Sequence, residues 1–286
     1  MFQPKPHSAI FVGPGSGQLD GEPLAFMPMP RDLSTARAPA LPAPGVLATQ
    51  VGALGALRAA LSALERRLSR EAVEPIELGA LTDGERLLVS QLLGEGEVAA
   101  VVSGDLGARA HESIYAGVWR VLHRDAGMRD TIEVGGFPRS IVAAARADGR
   151  ALAPPAAIAP EGTMNAPALI EELRARARAW QSGRTNGAAH VINLSLLPLT
   201  PGDGLYLEQQ LGRGRVMVLS RGYGNCRIIN TQVAGVWRVT YFNSQDAVIL
   251  DTLEVGDVPE VACAARQDLE DSAERLAELL QWVGGA

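Results

Sequence analysis

Apolar residues recur along this chain with two different periods. Over LGALRAALSALERRL (54–68), Leu54, Leu57, Leu61, Leu64 and Leu68 alternate steps of three and four, which places them on one face of a helix. A second stripe, Leu169, Leu173, Ala177 and Trp180, runs through APALIEELRARARAW (166–180), with Asn165 positioned to cap it and Pro167 tolerated in the first turn. A third, Leu269, Ala273, Leu276, Leu280 and Val283, predicts a final amphipathic helix with Glu and Arg on its wet side. Shorter helices should follow Thr82 and Thr200, each of which has an acid three positions on, the spacing of a capping box. Pro201 takes a first helical position, Leu87, Leu88 and Leu92 or Leu205, Tyr206 and Leu211 supply the buried side, and Gly94 and Gly212 end the helices.

Period two marks the strands. IEL (76–78) and VINL (191–194) read as short ones. VAAVVS (98–103), SIYAGVWRVLH (113–123) and DTIEV (130–134) predict a three-strand antiparallel meander, and VMVLS, TQVAGVWRVTYF and AVILDTLEV predict another. Alternation sends Trp119 and Val121, like Trp237, Val239 and Tyr241, to one face, where they should pack as core. Arg120 and Arg238 face the other way, toward a structural partner such as a carboxylate or a carbonyl.

The two meanders are the same unit written twice. GVWRV at 117–121 returns at 235–239, 118 positions later, and LTDGERLLVSQLLGEGEV (81–98) lies over LTPGDGLYLEQQLGRGRV (199–216) with 9 of 18 positions identical. The offset grows by three residues between Trp237 and Glu254, where both copies carry a polar turn, HRDAG (123–127) or FNSQDA (242–247). Loops accept such changes and packed strands do not. The predicted class is therefore α+β, a tandem duplication of a unit that runs helix, strand, helix, three-strand meander, helix. Residues 1–45 form an extended arm with six prolines between 22 and 45, residues 46–150 the first copy, 151–162 a Pro- and Ala-rich linker, and 163–286 the second copy with the terminal helix.

Composition narrows the chemistry. The 286 residues are 47% apolar, enough for real cores, and 32 acidic against 26 basic residues give a net charge of −6 without long charged blocks. Nucleic acid is not an expected partner. Cys226 and Cys263 make neither a disulfide framework nor a zinc spacing, so a reducing cytosol fits, and neither a metal nor another cofactor is expected. No apolar run reaches the roughly 18 residues of a membrane span, and a cytoplasmic protein without a membrane partner is expected.

No enzyme is predicted: His7, His111, His123 and His190 are scattered without triad or metal spacing. IFVGPGSGQ (10–18) has the glycines of a phosphate loop but is followed by a Gly- and Pro-containing stretch where a helix is required. Comparison of the copies isolates one candidate region. SGDLGARAHES (103–113) faces RGYGNCRIINT (221–231), so Gly104 pairs with Gly222 and Arg109 with Arg227, while Tyr223, Asn225 and Cys226 belong to the second copy alone. Arg221, Gly222, Tyr223, Gly224, Asn225, Cys226 and Arg227 are thus the candidate partner-binding residues. Two readings of Cys226 stand: a thiol made reactive by the cation beside it, or a small apolar residue at a strand start. Cys263, opposite Val142, reads as core.

RGYGNCRI, followed by VWRVTYFNSQDAVILDTLEVGDVPEVACAA, resembles the HupH family of hydrogenase expression/formation proteins, also called HyaF or HoxQ. HVINLSLLPLTPGD, YLEQQLGRG, DSAERL with Trp282, and the amino-terminal GPGSGQ and MPMPRDLSTARAPALP extend the likeness over nearly the whole chain. The family's GPGSQ reads GPGSGQ here. The resemblance implies a chaperone-like accessory protein of uptake nickel–iron hydrogenases that binds the iron–sulfur small-subunit precursor before export, beside a thioredoxin-like companion. Two rival classes stay open: a thiol-dependent redox or iron–sulfur transfer factor using Cys226, and a scaffold without a dedicated site.

Overall fold

The computed structural model describes residues 49–124, 127–154, 160–184, 189–222 and 225–284. Its first copy runs α1 (Val51–Leu68), β1 (Ile76–Glu77), α2 (Asp83–Leu93), β2 (Val98–Val102), β3 (Ala108–Glu112), β4 (Val118–Arg124), β5 (Met128–Val134) and α3 (Arg139–Ala147). The second runs α4 (Ala166–Gln181), β6 (His190–Asn193), α5 (Pro201–Leu211), β7 (Val216–Ser220), β8 (Asn225–Asn230), β9 (Val236–Phe242), β10 (Val248–Val255) and α6 (Arg266–Gly284). The α+β class and the duplicated layout stand, with one correction: each meander has four strands, not three. The added strands, β3 and β8, occupy segments that the sequence reading leaves outside its three strands.

All ten strands join one open antiparallel sheet in the order β1-β5-β4-β3-β2-β7-β8-β9-β10-β6. Read from either edge, the order is the same series of repeat-equivalent strands. The copies meet at β2 and β7, where Val98 lies opposite Ser220, Val102 opposite Val216, and Ala100 opposite Val218, its own counterpart under the repeat. A pseudo-twofold axis therefore passes through the Ala100–Val218 pair. The duplication behaves as a dimer closed by five paired residues within one chain.

The two faces of the sheet differ. Trp119, Val121, Trp237 and Val239 lie on one, with Ala100, Val102, Val216 and Val218, under Phe137, Ile141 and Ala145 from α3 and its entry and under Ala262. Both indoles are essentially inaccessible, and their Nε1–H groups donate to the carbonyls of Gly135 and Gly256, at 3.0 and 3.3 Å. Burying an indole contributes on the order of 4 kcal/mol before ordering entropy is counted. This tryptophan face confirms the core reading of both residues. The glycine that opens each GVWRV takes φ of 80° at Gly117 and 74° at Gly235, and a Cβ there would strike Leu269 or Trp180.

The other face carries helices only at its two ends. α1 and α2 cover β1, β4 and β5 through Leu57, Leu64, Leu88 and Leu92 against Val118, Ile132 and Val134, and α6 crosses from the second copy to add Leu269, Leu276 and Val283. At the far end α4 and α5 cover β6, β9 and β10 through Ile170, Leu173, Tyr206 and Leu211 against Val236, Leu253 and Val255. Both capping boxes form, Thr82 with Glu85 and Thr200 with Asp203. The same acids also hold the preceding helix: Glu85 accepts the Gly52 N–H at 2.8 Å, and Asp203 accepts those of Met164, Asn165 and Ala166 at 2.8, 3.0 and 2.9 Å. Asn165 is consequently not the cap its position suggests. Its side chain makes no cap bond and donates instead to Pro198 O, while a buried carboxylate from α5 satisfies the exposed helix donors.

Candidate functional site

Between the two helix pairs lies a stretch of sheet that no element among the described residues covers. Registers place Ala99 and Val101 of β2, Leu122 of β4, Met217 and Leu219 of β7 and Ile229 of β8 on this face, opposite in sense to the tryptophans. Each is only half-buried and none belongs to the three hydrophobic cores, whereas their alternates Ala100, Val102, Val218 and Ile228 are buried. Half-buried aliphatic side chains that join no core, in the middle of a large sheet, are the kind of surface that proteins keep for partners.

Arginines rim this floor. Arg120 and Arg238 stand at equivalent positions on β4 and β9, and each makes a two-bonded pair with a carboxylate one strand outward. Arg120 donates to Asp130 at 3.0 and 2.7 Å, and Arg238 to Asp251 at 3.1 and 2.7 Å. The expectation of a structural carboxylate partner for both is borne out. Arg238 also lies 3.5 Å from Glu208 of α5. That contact ties α5 to the margin of the floor; Leu205 lies three positions earlier on the same helix, and Leu87 is its counterpart on α2. Both were expected inside, yet they are 47% and 60% exposed, because Leu88 and Leu92 or Tyr206 and Leu211 already fill the helix–sheet contact.

Two further repeat-equivalent cations, Arg109 on β3 and Arg227 on β8, flank the central strand pair. Arg227 stacks over the Phe242 ring at 5.3 Å. Burial pushes its guanidinium below the ordinary arginine range, and the charges of Arg213 and Arg238 push the same way, against the pull of Asp251. The local field is positive.

The candidate segment divides across the sheet. Arg221 and Gly222 are exposed at the turn after β7, Asn225 and Arg227 point to the open face, and Cys226 points through to the tryptophan face, 3% exposed. Tyr223 and Gly224 lie outside the described residues, as do the Gly-rich stretch at 10–18, the arm at 1–45 and much of the linker. Burial pushes the Cys226 thiol up, with Glu254 adding to it despite hydrogen bonding to Ser220, so the adjacent arginine does not make it a thiolate. The small-apolar reading is what its surroundings favour. Cys263 packs beside the same core, its thiol lifted by burial to about 12. Among the described residues no three His, Cys, Asp or Glu side chains gather as a metal site, and no helix is long and apolar enough to cross a membrane.

Sequence reasoning missed the floor of this site. Its signal is present: the alternation in ARAHE (108–112) places Arg109 and His111 on one side of a strand, although the segment falls outside the three strands that the pattern predicts.

The family model described as the C-terminal conserved region of the HupH hydrogenase expression protein matches the chain twice, over residues 51–152 and 163–283, one match for each copy. The chain belongs to the HupH family. Its match to the hydrogenase expression/formation protein HoxQ of Cupriavidus necator is 44% identical and covers 98% of both chains. HupQ of Azotobacter chroococcum, likewise a hydrogenase expression/formation protein, is 42% identical over 93% of this chain and 94% of its own. A solved structure of the HupH hydrogenase expression protein from Thiobacillus denitrificans is similar at 35% identity over 42% of this chain and 96% of its own, with a TM-score of 0.36. As a HupH-type protein, the chain is an accessory factor in hydrogenase expression and maturation. Each HupH unit contributes one half of the open floor, so the site exists only because the unit is present twice.

Proposed function

We propose that this HupH-type protein holds the iron–sulfur small-subunit precursor of a nickel–iron hydrogenase and that it does so on the open sheet face between α2 and α5. The observation that carries this reading is the aliphatic floor itself, covered by no described element at the centre of an otherwise well-packed sheet. A holding protein needs such a surface and no reacting group. Arg227, which faces this floor from β8, lies close to the exposed turn at Arg221 and Gly222.

The test is copurification of the tagged precursor with the full chain from cells that express both. Replacing residues 221–227 by the first-copy sequence SGDLGAR should abolish capture, and undiminished capture would reject that segment as part of the site. A thiol-dependent rival is tested in the same cells. Cys226→Ser should leave hydrogenase maturation in air unchanged, since the thiol is enclosed between sheet and α3.

A further inference from the structure

Which part of a partner would this face accept? The six central strands, β2 to β4 and β7 to β9, direct Arg109, His111, Arg120, Arg124, Arg227 and Arg238 toward it. They direct no carboxylate there: the one acid on these strands, Glu112, lies opposite Trp119 on the tryptophan face. At the margins Asp130, Asp251 and Glu208 appear, engaged by Arg120 and Arg238, and Glu97, the residue before β2, lies against Gly222. In a chain with six more acids than bases, six central strands that turn five arginines and no carboxylate of their own to one face run against the composition. We infer that the open face takes a segment of the partner protein in which carboxylates alternate with aliphatic side chains.

This rests on the proposed holding role and names the chemistry of its guest. The aliphatic floor receives the apolar side chains and the flanking cations receive the carboxylates. Arg109 and Arg227 are separated by three strand spacings across the sheet, about 14 Å at ~4.8 Å each, and by two residues along the strands, so two carboxylates on one guest can reach both. The floor is aliphatic, which suits a peptide better than the stacked bases of a nucleic acid.

The test uses the purified full chain and a fluorescein-labelled peptide of about 15 residues built from Glu, Leu and Ala, with a second peptide carrying Lys at every Glu. The Glu peptide should bind at least about tenfold tighter than the Lys peptide and weaken severalfold as NaCl rises from about 50 to about 500 mM. Arg109→Glu combined with His111→Glu changes two exposed side chains, and it should remove the preference without altering the circular dichroism spectrum. Equal binding of the two peptides, a preference that survives the double substitution, or equally tight binding of an oligothymidylate would overturn the inference. Copurification separates the two levels. A precursor captured equally by the double variant sinks the charge inference and leaves the holding role, whereas a precursor never captured by the unaltered chain sinks the holding role.

Discussion

Glu112 in the first copy and Asn230 in the second occupy the same position, and they meet opposite fates. The amide both accepts and donates: its Oδ1 takes the Val216 N–H at 2.8 Å and its Nδ2 gives to Asp148 at 3.1 Å, tying β8 to the end of α3. Asp148 in turn takes both the backbone and the side chain of Arg215, so this corner joins the copies. The carboxylate can only accept, and it takes the Gly117 N–H at 3.0 Å. Burial, reinforced by Glu97 and Asp268 and opposed by that hydrogen bond, lifts its pKa to about 7. The shared residues, the tryptophans, arginine–aspartate pairs and capping acids, keep one backbone. The position that differs shows how each copy meets its neighbour.

The largest effect should come from the residues both copies share. Trp119→Ala and Trp237→Ala should each lose about 3–5 kcal/mol of unfolding free energy in urea. Trp119 also meets Phe137 edge-on, with ring centroids 5.2 Å apart, so its loss should cost about 1 kcal/mol more. A larger loss at Trp237 would show that the two tryptophans are not held alike.

Next in size is the difference between copies. Glu112 ionises near pH 4.5 when unfolded and near 7 when folded, so the folded state holds the proton more tightly across that interval. Its contribution is present below about pH 4.5 and declines as the pH rises to about 7, by up to about 3 kcal/mol. Glu112→Gln keeps an acceptor for Gly117 and makes the first copy neutral here, as the second is. Urea midpoints at pH 5 and pH 8 should converge in the variant relative to the unaltered chain, with the variant more stable at pH 8. An unchanged pH slope would mean that this carboxylate is not the group held protonated.

Such comparisons also separate what the chain writes locally from what it does not. The helices, the capping boxes and the inward tryptophans depend on neighbours within a few positions, and the 118-residue repeat doubles every signal. The source of the α4 cap does not: Asp203 reaches Asn165 from 38 positions away. Nor does the open floor. Val101 and Met217 read as core residues on any strand, and it is the placement of α2 and α5 over the sheet ends that leaves no described helix above them. The candidate segment was found through its difference from the first copy, whereas its partition across the sheet needed β8, a strand hidden next to a glycine turn.

The smallest effect on stability should belong to Leu87 and Leu205, and it bears most directly on whether the copies share the work. Both side chains are already largely in water, so Leu87→Ser and Leu205→Ser should each change unfolding free energy by no more than about 0.5 kcal/mol. Capture of the precursor is a separate matter, since both leucines stand on the helices that flank the proposed floor. If the guest lies symmetrically across the pseudo-twofold axis, the substitutions should weaken capture equally. The turn at Arg221 and Gly222 and the stacked Arg227 lie on the second copy's side of that axis, which favours a guest displaced toward α5. Leu205→Ser is therefore expected to reduce capture severalfold more than Leu87→Ser. The reverse order would place the guest on the first copy and leave the second copy's distinctive turn without a part in binding.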